Sequence, residues 1–235
     1  MTKILIIPDV HGRQFWKQAV ASGEYDKVIF LGDYLDPYPD EQIDEQTAKD
    51  NFKEILSYYD QHPDKVVLLL GNHDLHYLSP YYHYICPSGR YNRKLSDQFG
   101  LLFNKQTDRF KLAHEETLGS QHYLFTHAGV NMPWFKRNHN LIAKPDAHHL
   151  NQMLASDEGI ETLAQVGAAR WGEYFTGSII WSDCEEMVYT DPLPGVYQII
   201  GHTRQLDGNP VITPTFACLD TSDAYILTPN SLDKL

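Results

Sequence analysis

Eight residues with carboxylate, imidazole or amide side chains stand at or just after the ends of short apolar segments. They are Asp9, His11, Asp33, Asp36, Asn72, His73, His127 and His202. Carboxylate and amide oxygens together with imidazole nitrogens form a mixed ligand set, which suits manganese, iron or zinc better than calcium or magnesium. Because the ligands exceed what one tetrahedral ion needs, two ions that share a carboxylate are the simplest interpretation. Such a pair can activate a bridging water and bind the oxygens displaced in a hydrolytic reaction.

The recurrence of this pattern is what makes it informative, since a lone histidine is usually structural. Five predicted strand ends carry a ligand-type residue, and each has a glycine nearby that lets the backbone approach closely. The other eight histidines do not end a predicted strand beside a glycine. We interpret these as structural: His62, His76, His83, His114, His122, His139, His148 and His149.

The first third of the chain alternates between apolar strands and amphipathic helices. Strands are predicted at 3–8, 27–31 and 66–70, and helices at 12–22 and 41–59. A β-α-β-α-β order implies a mostly parallel sheet with right-handed crossovers. The carboxyl edge of such a sheet is where open α/β folds bind ligands, and the first three clusters fall there.

The rest of the chain is predicted to hold one more helix, a helical region and a late series of strands. The helix is predicted at 95–105, the helical region at 133–172, and the strands at 110–113, 122–126, 197–200, 211–212, 216–219 and 225–227. The last two strands are expected to be joined by a turn at 220–223. Strands that follow early βα units suggest a second sheet.

A segment rich in tyrosine and basic residues, at about 75–97, lies beside the third cluster and is predicted to be an irregular insertion. Tyrosine stacks on rings and arginine binds phosphate, which favours a lid or a substrate wall. Amphipathic tyrosines also pack in surface loops. Both interpretations stay open at this point.

Composition limits the classes of function. The 235 residues suffice for a single domain with a substantial core, and a net charge of −12 argues against general binding of duplex nucleic acid. The three cysteines, Cys86, Cys184 and Cys218, do not form a disulfide framework. The apolar N-terminal segment is too short for a signal sequence or a membrane span, so a cytoplasmic location without membrane association is expected.

The ordered motifs of the chain resemble those of the calcineurin-like metallophosphoesterases. The motifs are Asp9-Val-His11, Gly32-Asp33-Tyr-Leu-Asp36, Gly71-Asn72-His73-Asp74, His127-Ala-Gly129 and Gly201-His202-Thr203. Tyr34, Trp181-Ser182-Asp183 and Leu219-Asp220-Thr221 are similar to the phosphoprotein phosphatase branch, which includes symmetrical diadenosine tetraphosphatases. The resemblance covers nearly the whole chain. It implies one domain over 1–235 with an α/β fold, a four-layer α/β/β/α sandwich of two mixed sheets.

The resemblance also implies roles for the eight residues. It assigns the first ion to Asp9, His11 and Asp33. It assigns the second ion to Asp33 as a bridging ligand with Asn72, His127 and His202. A hydroxide between the ions would attack phosphorus, and His73 would protonate the leaving oxygen while Asp36 orients it. Two divalent ions are therefore expected, with manganese favoured over iron or zinc.

Two positions depart from the family pattern. Pro37 stands where the protein phosphatases have a phosphate-binding arginine, which argues against protein phosphatase activity. Arg204 stands where many metallophosphoesterases have a second histidine. We hypothesise that Arg204 binds substrate phosphate in place of the missing arginine, with Arg170 as a second candidate. Arg90 is a weaker candidate for the same role, and the interpretation as a surface arginine is favoured for it.

The sequence therefore predicts a two-metal phosphoesterase acting on a phosphorylated substrate. Small phosphoesters and phosphoproteins form one substrate class, and nucleotides such as dinucleoside polyphosphates form another, slightly favoured by the tyrosines. The alternative of another class is a non-catalytic protein-binding scaffold. Such a scaffold would be expected to lose His73 or several metal ligands, and this chain retains them.

Overall fold

Two mixed β-sheets flanked by helices organise the chain in a computed structural model, which describes residues 2–105 and 107–235. The chain divides into two units. Unit 1 contains the described residues up to Phe110 together with Ser222–Leu235, and unit 2 contains Lys111–Thr221. The predicted α/β class with two mixed sheets is confirmed.

A six-stranded sheet in the order β11-β10-β1-β2-β3-β4 lies in unit 1, except for Lys111 of β4, at which unit 2 begins. The strands are β1 (Ile4–Ile7), β2 (Lys27–Phe30), β3 (Val66–Leu69), β4 (Phe110–Lys111), β10 (Tyr225–Leu227) and β11 (Leu232–Lys234). The strands β1, β2 and β3 run parallel, as the sequence predicts, and β10 lies antiparallel to β1. Because β1 and β3 are buried along their whole length, their apolar sequences are uninterrupted.

Five α-helices belong to unit 1 in the part of the chain that is described. They are α1 (Phe15–Ala21), α2 (Glu45–Gln61), α3 (Asn72–Leu78), α4 (Pro80–Ile85) and α5 (Ser96–Asn104). The helix α2 begins later than predicted because the Asp44 carboxylate accepts the Thr47 N–H at 2.7 Å and caps it. Its Phe52 stacks on Tyr34 with 4.7 Å between the ring centroids, inside the core.

The prediction of an irregular segment from residue 75 onward was wrong for its first half. The helix α3 continues to Leu78, and Pro80 occupies the first position of α4, where proline favours a helix start. Tyr91 is stacked between Tyr77 and His83, with centroid distances of 4.9 and 3.8 Å. These rings therefore pack against each other.

Unit 2 contains a five-stranded sheet in the order β5-β6-β7-β9-β8. The strands are β5 (Ala113–Leu118), β6 (Gln121–Thr126), β7 (Tyr197–Ile200), β8 (Val211–Ile212) and β9 (Phe216–Cys218). Its helices are α6 (Met132–Arg137), α7 (Ala147–Asn151), α8 (Asp157–Leu163) and α9 (Cys184–Tyr189). β5 and β6 form a hairpin, and β6, β7 and β9 run parallel.

The predicted strands at 216–219 and 225–227 are present but do not pair with each other. β9 pairs with β7 in unit 2, whereas β10 pairs with β1 in unit 1. Both are short apolar segments, and their sequences carry no information on which sheet each joins. The strand predicted at 110–113 is divided between β4 and β5.

Candidate metal site and catalytic histidine

Three buried side chains meet where β1 and β2 end in unit 1. Ligand atoms of Asp9, His11 and Asp33 lie within 4.8 Å of one another. The His11 N–H donates to the Asp33 carbonyl at 2.7 Å, which joins the two strand ends. His11 and Asp33 have φ values of 44° and 53°, in the left-handed region that is strained for residues with a side chain. Such strain is commonly retained at functional sites.

The His11 imidazole has one ring nitrogen bound to the backbone and the other directed at carboxylates. Its Nδ1–H donates to the Leu35 carbonyl at 2.8 Å, so Nε2 carries the lone pair. Within the described part of the chain Nε2 makes no hydrogen bond, and it faces Asp33 Oδ2 at 3.4 Å and Asp9 Oδ2 at 3.9 Å. Burial lowers the pKa of His11 well below its usual value, which keeps the ring neutral. A lone pair that faces two carboxylates fits a bound divalent cation.

Two glycines allow the ends of β2 and β3 to approach closely. A Cβ on Gly32, which has φ of 106°, would lie 2.4 Å from the Gly71 nitrogen. A Cβ on Gly71 would lie 2.0 Å from Asp33 Oδ1. The same oxygen accepts the His73 backbone N–H at 2.9 Å. Glycine at both positions is therefore required for the position of the Asp33 carboxylate.

The Asp74 carboxylate binds the backbone around Asp33, a role that the sequence motif did not indicate. It accepts the backbone N–H groups of Asp33, Tyr34 and Gly71 at 2.7, 3.0 and 2.8 Å. Burial and the nearby Asp33 raise the pKa of Asp74, and the three N–H bonds oppose that rise. Asp74 thus fixes the backbone that carries Asp33.

His73 lies in the first turn of α3, directly after the buried Asn72. Its Nδ1 is 2.8 Å from Asp36 Oδ2, so the predicted pair of His73 and Asp36 is in contact. The Tyr77 hydroxyl donates to the other Asp36 oxygen. The His73 and His11 ring centroids are 5.2 Å apart, which places the pair beside the ligand group.

Arg90 also reaches His73, which the interpretation as a surface arginine did not anticipate. Its Nη2 donates to His73 Nε2 at 2.7 Å, and its Nη1 donates to the Asp36 carbonyl at 2.8 Å. The guanidinium lies over the Tyr38 ring, 4.0 Å from its centroid. Since guanidinium nitrogens only donate, His73 Nε2 is the acceptor and Nδ1 carries the proton toward Asp36.

In unit 2, the predicted ligands His127 and His202 lie together. His127 Nε2 and His202 Nδ1 are 3.1 Å apart, and both residues are buried. The His127 carbonyl accepts the Gly201 N–H at 2.8 Å, which links the end of β6 to the end of β7. His202 has φ of 66°, again in the left-handed region. Two imidazole nitrogens in contact can serve as ligands of one ion.

The two arginines predicted to bind substrate also lie in unit 2. Arg170 forms an ion pair with Asp183 at 2.7 Å and donates to Thr203 Oγ1 at 3.0 Å. Its charge is therefore matched by a carboxylate. Arg204 lines a cavity of about 640 Å³ together with Asp183 and Cys184. The substrate-binding role of both arginines stays a prediction.

Two solved structures share the fold of this chain. One is the cold-active protein-tyrosine phosphatase of a psychrophilic Shewanella species, with a TM-score of 0.59, 12% identity and coverage of 100% of this chain and 80% of that chain. The other is a protein serine/threonine phosphatase from Saccharomyces cerevisiae, with a TM-score of 0.52, 14% identity and coverage of 97% and 73%. At these identities the likeness concerns the fold alone.

The carboxylate and imidazole group of unit 1 could hold a metal ion, as a metal-dependent hydrolase of the phosphatase type requires. The family model for calcineurin-like phosphoesterases matches residues 2–203, and the chain belongs to that family. A comparison with curated protein sequences finds no match. No helix among the described residues is long and apolar enough to cross a membrane.

Proposed function

We propose that this chain hydrolyses phosphate esters or phosphoanhydrides with two divalent metal ions, using His73 as the general acid. The contact between His73 and Asp36 beside the ligand group of unit 1 carries this proposal. Its first ion is assigned to Asp9, His11 and Asp33. As the family resemblance implies, the second ion is assigned to Asp33, Asn72, His127 and His202.

The metal ions would supply an activated water and would neutralise charge on the phosphate oxygens. His11 supports this assignment because its Nε2 lone pair faces two carboxylates, an arrangement that a cation stabilises. Nitrogen and carboxylate ligands favour manganese, iron or zinc, and we propose manganese.

His73 would protonate the oxygen of the leaving group from Nε2. In the reacting complex Nε2 would carry a proton, so the leaving-group oxygen would replace the Arg90 N–H as its hydrogen-bond partner. The Nδ1–H of His73 is bound to Asp36, which stabilises an imidazolium and fixes the direction of the ring. Asp36 is itself bound by the Tyr77 hydroxyl, so its carboxylate keeps its position. General acid catalysis of this kind contributes about 10²- to 10⁴-fold to a rate. A non-catalytic scaffold would not need this chain of hydrogen bonds.

The test is metal-dependent phosphate release by protein stripped of metal. We expect p-nitrophenyl phosphate to be hydrolysed only after Mn²⁺ is added, and His73→Asn to lower kcat by about 100-fold or more. His62→Asn is the matched control, because His62 is exposed and was interpreted as structural. Equal activity of the His73 variant and the wild type would disprove the assigned acid. The absence of turnover with bound metal would favour the scaffold.

A further inference from the structure

Arg90 lies in a segment whose charge differs from that of the whole chain. Between Leu75 and Ser96 the basic residues are Arg90, Arg93 and Lys94, and the sequence of this segment has no Asp or Glu. The chain as a whole has a net charge of −12. A positive segment beside His73 attracts an anionic group to that side of the site.

The charge of the Arg90 guanidinium is not matched by a carboxylate. Its side-chain hydrogen bonds go to two neutral acceptors, the Asp36 carbonyl and His73 Nε2, and no carboxylate among the described residues pairs with it. Arg13 is the contrast, because its Nε and Nη2 bind the Glu41 carboxylate at 2.8–3.0 Å. An arginine held in place by neutral groups retains its capacity to bind an anion.

The position of this guanidinium indicates which part of a substrate it would meet. The atom that receives a proton from His73 Nε2 is the leaving-group oxygen, and it must come within about 3 Å of that nitrogen. Arg90 Nη2 already lies 2.7 Å from His73 Nε2. An oxygen that approaches Nε2 therefore meets Arg90 as well. The Tyr38 ring supports the guanidinium plane from one face.

We propose that Arg90 binds the leaving group and selects substrates whose leaving group is itself a phosphate. These are phosphoanhydrides, such as nucleoside polyphosphates. Water would form a bond to the attacked phosphorus, and the bond from that phosphorus to the bridging oxygen would break. The electron pair of the broken bond and a proton from His73 Nε2 would go to that oxygen of the departing phosphate. The inference rests on the proposed role of His73.

The test compares ADP with AMP as substrates, because both contain adenosine. When ADP is hydrolysed the leaving group is a phosphate of AMP, whereas when AMP is hydrolysed the leaving group is the adenosine hydroxyl. Loss of the Arg90 hydrogen bond to His73 affects all substrates alike, so the informative quantity is the difference between them. In Arg90→Ala we expect kcat/KM to fall about 20-fold more for ADP than for AMP or p-nitrophenyl phosphate. Arg90→Lys keeps the charge but loses the planar fork, so it should recover part of the ADP activity. Arg93→Ala removes the same charge from an exposed position of the same loop and measures the effect of that charge alone.

A binding measurement makes the test independent of turnover. Calorimetry should show that Arg90→Ala weakens methylenebisphosphonate binding at least tenfold more than it weakens inorganic phosphate binding. Tyr38→Leu, which removes the support of the guanidinium, should act in the same direction. Equal losses for both ligands, or for ADP and AMP, would overturn the inference. If p-nitrophenyl phosphate hydrolysis still requires Mn²⁺ and His73, the proposed function stands in either case.

Discussion

At the scale of single residues, the direction of the His73 ring is set by hydrogen bonds from separate parts of unit 1. Asp36 follows β2, Tyr77 lies on α3, and Arg90 lies in the loop that precedes α5. The Tyr77 hydroxyl in turn accepts the Asn92 N–H at 2.9 Å. The histidine is thus oriented by a connected set of hydrogen bonds, which is what proton transfer to one defined atom requires.

Replacing Asp36 by Asn should isolate its charge from its position. Asp36 has φ of 57°, which asparagine tolerates better than most residues, so the backbone should be retained. We expect kcat to fall about 100-fold with little change in KM, because an amide stabilises an imidazolium less than a carboxylate does. Metal content should be unchanged, since Asp36 is not an assigned ligand. Tyr77→Phe should lower kcat by a smaller factor, and unchanged kcat in Asp36→Asn would contradict the positioning role.

His76, on α3, should make the folded protein sensitive to acid. Burial lowers its pKa to about 3, whereas the unfolded chain has the ordinary value of 6.5. Below pH 6.5 the unfolded state therefore binds a proton that the folded state does not, and stability falls as the pH decreases toward 3. From pH 7 to pH 5 this group lowers the free energy of unfolding by about 2 kcal/mol. In His76→Gln, the loss of unfolding free energy between pH 7 and pH 5, measured with urea, should be smaller by that amount. Equal losses in both proteins would contradict the low pKa.

The residues of the site were predictable from sequence to different degrees. The pairing of His73 with Asp36 and the group of Asp9, His11 and Asp33 follow from strand ends that meet at one edge of a parallel sheet. The contact of Arg90 with His73 was not predicted, because the guanidinium reaches His73 only through the path of a loop, and residue types alone do not determine that path.

At the scale of secondary structure, the end of β2 and the end of β3 are close enough that only glycine fits between them. We expect Gly71→Ala to displace the Asp33 carboxylate, because the new Cβ would lie 2.0 Å from Asp33 Oδ1. The cost should be about 1–3 kcal/mol in unfolding free energy and about 10- to 100-fold in Mn²⁺ affinity. Thermal unfolding and a metal titration measure the two quantities.

Gly89→Ala is the control for the Gly71 substitution. A Cβ at Gly89 has nothing within 4 Å among the described residues, so stability should change by less than about 0.5 kcal/mol. Mn²⁺ affinity should also be retained. Similar losses in the two variants would mean that the close approach of β2 and β3 is not what positions Asp33.

The elements that sequence patterns did not predict have little buried apolar surface or few residues. β5 has four of its six residues partly or fully exposed, and its His-Glu-Glu-Thr sequence lacks an apolar signal. The helix α9 is only six residues long and depends on the Asp183 cap, whose carboxylate accepts the Glu185 N–H at 2.9 Å. Apolar strands such as β1 and β3 were predicted almost to the residue because burial on both faces requires a continuous apolar sequence.

At the scale of the whole molecule, the chain leaves unit 1 after Phe110 and returns to it at Ser222. The returning segment supplies β10, which pairs with β1 in the register Ile4 to Leu227, Leu5 to Ile226 and Ile6 to Tyr225. A strand from the end of the chain therefore completes the sheet begun by the first strand. Folding of unit 1 thus requires contacts between segments far apart in sequence, β1 and β10, and such contacts slow folding.

Truncation after Thr221 should consequently destabilise the sheet of unit 1. Loss of β10 would remove the backbone hydrogen bonds on one side of β1, make β1 an edge strand, and uncover apolar side chains that are now fully buried. Hydrogen exchange should show loss of protection in β1, while amides of β6 and β7 stay protected because their pairing lies within unit 2. Truncation after Ser231 removes only β11, at the edge of the sheet, and should leave β1 protected. If β1 stayed protected in the protein truncated after Thr221, the parallel strands of unit 1 would be stable without the returning segment.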